Sequence, residues 1–250
     1  MHCIGIDLGW TTQPSGVCCL TLHGTELYLT ALHRLSTFTE VLTWIDTQAP
    51  THQAGIIAVD APTLIPNATG MRLCDRLAHR HFGKYHAGCY PANQGLAFAP
   101  HTVGFGLSLE DRGFVHAPHI QPQQPGRYQI EVFPHPASIR LFQLQQILKY
   151  KKGAIAQRKE QLTLLRHYLL ETLPTLEPAI NWADSPMATL PPIPQRGTDL
   201  KAVEDQLDAL ICAYVAAHWW YWGTDRNTVL GDRTTGYIIV PDPFLVAAPH

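Results

Sequence analysis

Residues 2–35 read HCIGIDLGWTTQPSGVCCLTLHGTELYLTALHRL, and within them three apolar runs, His2 to Leu8, Gly16 to Leu22 and Leu27 to Leu35, are separated by loops too short to hold a helix. A parallel return needs a crossover of about a dozen residues, so three strands joined this tightly predict an antiparallel meander. The period then changes. Thr37 and Glu40 form a capping box, and Phe38, Val41, Leu42 and Ile45 recur at helical spacing up to Pro50. Ala54 to Asp60 (AGIIAVD) is an unbroken apolar run stopped by Ala61-Pro62, the pattern of a strand buried on both faces. The helix before it lets this strand lie parallel to the first.

Further on, the pattern predicts helices over Met71 to Phe82, a short stretch near Val103 to Arg112, Ala154 to Leu173 and Leu200 to Trp222, a fifth strand over Tyr128 to Phe133, and an edge strand over Gly236 to Val240. The order β-β-β-α-β-α-β-α describes an α/β domain. Its sheet is mixed and five-stranded, an antiparallel meander plus parallel strands, flanked by helices. This is the RNase H-like order, which other α/β folds share. Residues 1–250 read as one domain with long loops at 83–127 and 174–198. The Pro-rich run Pro174 to Gly197 is long enough to read as a functional loop or lid.

Only 15% of residues are charged and the net charge is −2, so the whole-protein field offers a polyanion no attraction and any grip on nucleic acid must be local. The most apolar stretch, Leu207 to Trp222, is shorter than the roughly 20 residues of a membrane span and carries Asp208 and His218, so it reads as a core helix. Six cysteines without a C-x-x-C pair, following no secretory signal, read as reduced core thiols of a cytoplasmic protein.

Asp7 ends the first strand and Asp60 the fourth. If these are parallel neighbours, both carboxylates leave the same edge of the sheet, where α/β sites form. Asp205 and Asp208, three apart on a helix, share a face. With no Lys or Arg read as matching them, four such acids repel one another unless a divalent cation intervenes, and all-oxygen ligands favour Mg²⁺ or Mn²⁺ over zinc. Each acid also has a structural reading: Asp7 and Asp60 as turn or strand-end acceptors, Asp205 as a first-turn helix charge. Asp208 resists it, because Leu207, Ala209, Leu210 and Ile211 surround it and a carboxylate near a core needs a partner.

The strings GIDLGW (5–10), IIAVDAP (56–62), MRLCDR (71–76), IEVFPHP (130–136) and EDQLDALICAY (204–214), in this order, resemble the family called domain of unknown function 429, a predicted RNase H-like nuclease family placed near Holliday-junction resolvases. The resemblance spans nearly the whole chain, with the DQLDA pair its most telling part. It implies a first-strand Asp, a fourth-strand acid and a D-x-x-D pair holding two metal ions, positions that fall here on Asp7, Asp60, Asp205 and Asp208. The implied activity is two-metal phosphodiester hydrolysis of a nucleic acid of unspecified type.

Other residues qualify as accessories. Glu131 and His135 share one side if the strand continues past Pro134, and so can supplement the metals or orient substrate; His135 or His79 can shuttle a proton. Arg72, Arg76 and Arg80, every fourth residue of a helix, can present guanidinium groups to phosphate or form a solvated face. Lys149, Lys151, Lys152, Arg158 and Lys159 form the densest basic stretch, and Trp219, Trp220 and Trp222 can stack on bases or, as the apolar helix favours, pack on the sheet.

Two other functions compete. A non-catalytic scaffold binding nucleic acid or protein fits the lack of a basic surface. An ATP-dependent phosphotransferase is suggested by GIDLGWTT, which also resembles the first phosphate loop of the sugar kinase, heat-shock protein and actin superfamily. That superfamily needs a second acidic Gly-rich hairpin and a Gly-rich adenosine loop, and neither is found, since Gly197 to Lys201 leads directly into DQLDA.

Overall fold

A computed structural model describes residues 1–10, 13–187 and 189–245. Strands β1 (His2–Asp7), β2 (Ser15–His23) and β3 (Glu26–Leu35) form the antiparallel meander. Helix α1 (Phe38–Gln48) follows behind the Thr37–Glu40 capping box and returns the chain to β4 (Gly55–Val59), which lies parallel to β1. Helices α2 (Leu73–Phe82) and α3 (Ala99–Glu110) and the two-residue strand β5 (Val115–His116) precede β6 (Arg127–Glu131), parallel to β4. Then come α4 (Pro134–Leu141), α5 (Ile155–Thr172), the two-residue strand β7 (Ala179–Ile180), α6 (Leu200–Trp222), and the hairpin β8 (Asn227–Asp232) and β9 (Gly236–Pro241).

The main sheet runs β5-β6-β4-β1-β2-β3-β7. Its centre, β6-β4-β1-β2-β3, is the expected five-stranded RNase H-like arrangement. The sheet has seven strands because β5 and β7, too short to leave a period-2 signal, add one pairing at each edge. The strand expected over Gly236 to Val240 is not an edge of this sheet. It pairs with β8 as a separate hairpin, joined to the main sheet by an isolated bridge from Ile239 to Val132, just past β6, and by the Tyr237 hydroxyl, which donates to the Gln129 carbonyl.

The fifth strand also stops earlier than expected. Pro134 takes the first helical position behind Phe133, where its missing N–H costs nothing, so His135 lies in the first turn of α4 instead of continuing the strand.

Both faces of the sheet are covered. Ile4, Ile6, Val17, Cys19, Ile57 and Val59 pack with Val41 and Ile45 of α1 and Phe105 and Leu109 of α3. The alternate residues Cys3, Cys18, Leu20, Ile56 and Ala58 join the larger core with α6. All six cysteines are unbridged. The three tryptophans that end α6 pack on the protein: Trp219 donates to the Ala117 carbonyl, Trp220 to Gln124 and Trp222 to Glu177. Among the described residues no helix is long and apolar enough to cross a membrane.

Candidate functional site: an acidic centre with its own cations

Period-2 geometry decides where the strand acids go. Cys3, Gly5 and Asp7 project to one face of β1, and Ile56, Ala58 and Asp60 to the same face of β4. The Asp60 amide donates to the Ile6 carbonyl at 2.8 Å, continuing the parallel ladder, so Asp7 and Asp60 stand at one sheet edge. That face receives α6. Gly5 and Gly16 let the helix backbone come down onto the sheet: a Cβ at Gly5 would overlap the Ala209 carbonyl and the Ala213 amide, and one at Gly16 would overlap the Asp205 carbonyl. The close approach carries Asp205 and Asp208, both essentially without solvent exposure, to the strand acids. The four carboxylates are near enough to act on one another: Asp7 is pushed well above the ordinary range by burial and then by Asp208, Asp60 and Asp205, against the pull of Lys151. Burial and Asp208 push Asp60 up to about 7, with Lys151 and Lys201 opposing.

Contrary to the sequence reading, two of the acids have cationic partners. Asp205 is paired with Arg34 Nε at 2.9 Å and with Lys201, one helical turn before it. Lys151 Nζ lies 2.6 Å from Asp208 Oδ2, and the Tyr150 hydroxyl donates to Asp208 Oδ1 at 2.6 Å. The Lys151 contact is a charge contact out of line for a hydrogen bond, so Asp208 Oδ2 is buried without a hydrogen-bond partner. Asp7 and Asp60 have no ion pair among the described residues.

Asp7, Asp60, Asp205, Lys151, Lys201 and His135 stand in the wall of one cavity of about 650 Å³, while Asp208 is buried outside that wall and meets it through Lys151. The cavity's volume is that of a small-molecule site. Asp7 and Asp60 are partly open to it while ringed by protein, which is how a carboxylate can be solvent-accessible and still strongly desolvated. His135 is held down to about 4, by burial first and Lys151 second, and is therefore neutral at pH 7.

The accessory residues divide. Glu131 reaches the cavity wall, but both of its oxygens are taken by Arg72, at 2.6 and 2.7 Å. Arg72 also binds Asp75 at 2.7 Å and is buried, so its fork joins α2 to β6 and has no free edge for phosphate. Arg76 and Arg80 lie on the solvent face of α2, outside the cavity wall. The guanidinium row expected to meet phosphate is thus not assembled, because the helix turns only its first member inward. His79 is also exposed and outside the wall.

Of the basic stretch, Lys149, Lys151 and Lys152 line the cavity. Arg158 is used internally, on the Tyr150 carbonyl at 3.1 Å and Glu204 at 2.5 Å, and Lys159 on the Gln195 carbonyl. The suspected lid over 174–198 supplies no described wall residue; residues 86–102 do, with Tyr90 and Phe98.

As donors, the acids fit a hard divalent cation: carboxylate oxygens only, with two of the acids, Asp7 and Asp60, free of ion pairs among the described residues. They are not drawn tight, for among the described residues no three His, Cys, Asp or Glu side chains surround one cation-sized point. Lys151 stands against Asp208.

Fold and centre together define an α/β protein with an RNase H-like sheet and an acidic recess, lined by Asp7, Asp60 and Asp205 and backed by Asp208, at the carboxyl edge of its first and fourth strands. The chain belongs to the family described as Protein of unknown function (DUF429), whose model matches residues 5–235. Comparison with curated proteins gave no match.

Proposed function

We propose that this protein is a divalent-metal-dependent phosphodiester hydrolase acting on nucleic acid, with Asp7, Asp60, Asp205 and Asp208 holding Mg²⁺ or Mn²⁺. The observation that carries this reading is the pair of desolvated carboxylates without an ion pair among the described residues, Asp7 and Asp60, each pushed up by burial and by Asp208. Crowded carboxylates of this kind disfavour their own ionisation, a strain that cation binding would relieve. Bound there, the metal supplies Lewis-acid polarisation of a phosphoryl group and charge neutralisation. The chain's own groups divide the remaining work. Lys151 and Lys152 attract and orient the phosphodiester. Neutral His135, in the same wall, accepts the proton released when water attacks phosphorus; as the P–O bond breaks, the imidazolium returns that proton to the leaving oxygen, giving a phosphomonoester and an alcohol. Six unbridged thiols support a reducing, cytoplasmic location.

A second reading has an observation of its own: Lys151, Lys201 and Arg34 already balance part of the acidic charge, which suits a scaffold that binds nucleic acid or protein without cutting it. Cleavage assays on single-stranded, duplex, hybrid and branched DNA and RNA with Mg²⁺ or Mn²⁺ separate the two. The hydrolase reading expects metal-dependent cleavage that falls to background in Asp7→Asn and Asp60→Asn. No cleavage of any substrate leaves the scaffold; full activity in both variants would place the cleavage outside these acids.

A further inference from the structure

The two large apolar side chains left most in solvent among the described residues, Tyr90 at 76% and Trp10 at 61%, both belong to the wall of the acidic cavity. Exposed aromatics scattered over a surface need no explanation, but two gathered at one recess mark a binding surface. Trp10 lies three residues beyond Asp7, so its backbone is within about 11 Å of the acid. Its edge-to-face packing on Phe98, with ring centroids 4.7 Å apart, holds the ring in place. The neighbouring Gly9 carbonyl is tied to His101 of α3 at 3.1 Å. Tyr90 rises from the loop before α3. The cavity therefore combines an aromatic mouth with ammonium groups, Lys149, Lys151 and Lys152, and a carboxylate floor.

We infer that this cavity receives an unpaired nucleotide, with its base against Trp10 and Tyr90 and its phosphodiester turned down toward Lys151 and the acids. The inference rests on the hydrolase reading of the floor and adds the substrate class. Every base has a π-face, so an aromatic mouth accepts bases without reading sequence. The floor excludes a duplex: Asp205 is 1% exposed in the wall of a recess of small-molecule volume, which a phosphate in a stacked helix reaches only if its nucleotide is pulled out. The net charge of −2 likewise provides no extended basic track for a long polyanion.

The test is fluorescence anisotropy on the intact protein with Ca²⁺ in place of Mg²⁺ to suppress turnover. The probe is a fluorescein-labelled oligothymidine of about five nucleotides. Competitors are the unlabelled oligomer, the unlabelled thymidine dinucleotide, the same dinucleotide without bases, and a blunt duplex. The inference expects the single strand to bind, the abasic dinucleotide and the duplex to compete poorly, and Trp10→Ala and Tyr90→Ala each to weaken binding about tenfold. Trp10→Phe should restore most of the loss. Both side chains are exposed, so melting curves of the variants should match the wild type. Competition by the dinucleotide as effective as by the oligomer identifies a free dinucleotide as the source of the ligand; competition by the oligomer alone identifies a strand end. Equal binding of duplex, equal competition by the abasic compound, or unchanged alanine variants would overturn the inference. Base-dependent binding without cleavage in Mg²⁺ or Mn²⁺ would sink the hydrolase reading alone, and duplex cleavage indifferent to both aromatics would sink this one alone.

Discussion

Lys151 Nζ, in the wall of the cavity, stands 2.6 Å from the fully buried Asp208 Oδ2, held there because Arg158 of α5 ties the preceding Tyr150 carbonyl and Glu204 together. Burial disfavours the ammonium, but Asp208 and Asp7 overcome it and keep Lys151 charged. It is thus a built-in counter-ion that competes with any metal for the same carboxylates. Replacing it by an isosteric apolar residue, Lys151→Met, should tighten Mn²⁺ binding about tenfold, since a unit charge a few ångströms away is worth at least that much at a half-solvated site. It should also lower the melting temperature of the metal-free protein. Calorimetric titration with Mn²⁺ checks the first effect, and weaker or unchanged binding would show that Lys151 does not face the metal position.

The acids should differ in stability because their partners differ. Asp7 and Asp60 gain nothing from an ion pair and suffer repulsion, so Asp7→Asn or Asp60→Asn should leave the metal-free protein as stable or more stable. Asp208→Asn should destabilise it, because it strands Lys151 and weakens the bond from Tyr150. Each kcal/mol corresponds to roughly 2–4 °C in a chain of this size, so thermal melts resolve the order. An Asp208 variant that melts above both others would mean that repulsion, and not pairing, dominates at that position.

Much of this centre was readable in advance because β1 and β4 have unbroken apolar runs that end in Asp, and period 2 then fixes the face. The pairing of Lys201 with Asp205 was also present in the sequence at i, i+4 spacing, the ordinary helical ion-pair signal. Lys151 and Arg34 were not readable, since they arrive at the centre from a loop and from the third strand, 57 and 171 residues from their partners, and no local spacing encodes such contacts. The same limit hid the Arg72–Glu131 bridge, which consumes both residues as free ligands. Trp10 and Tyr90 gave no periodic signal because they sit in loops, where exposure is set by tertiary structure alone.

The pH dependence of stability should carry opposite contributions. Asp60 holds its proton up to about 7 in the folded protein but releases it near 3.8 when unfolded. The folded state therefore binds more protons between those values, and this carboxyl removes stability as the pH rises from about 4 to about 7. His116, His135 and His218 are pushed down to about 4, by burial first in each case, from 6.5. Their unfolded forms bind more protons in that interval, so they remove stability as the pH falls from 6.5 toward 4. Comparing wild type with Asp60→Asn isolates the acid: the melting advantage of the variant should grow from pH 4.5 to 7 and then level off. A pH-independent difference would place Asp60 outside the desolvated floor.

The last prediction concerns the contact that builds the centre. α6 reaches β1 and β2 only because Gly5 and Gly16 present no side chain: a Cβ at either position would strike helix backbone, which cannot rotate away as a flexible side chain would. Gly5→Ala or Gly16→Ala must therefore push α6 off the sheet, opening voids among Cys3, Cys18, Leu20 and Ala213 and carrying Asp205 and Asp208 away from Asp7. A loss above about 4 kcal/mol is expected of backbone overlap in a packed core, enough to unfold a marginally stable domain. Gly104 supplies the control. It lies within α3 with nothing near its absent Cβ, so Gly104→Ala should stabilise the protein by about 0.5–1 kcal/mol through helix propensity. Urea denaturation of the three variants measures both effects, and Mn²⁺ titration of whatever folded Gly16→Ala remains shows whether the helix has moved. A Gly5 or Gly16 variant with wild-type stability and metal response would mean that α6 does not pack on this face of the sheet, and the acids would then have no common centre.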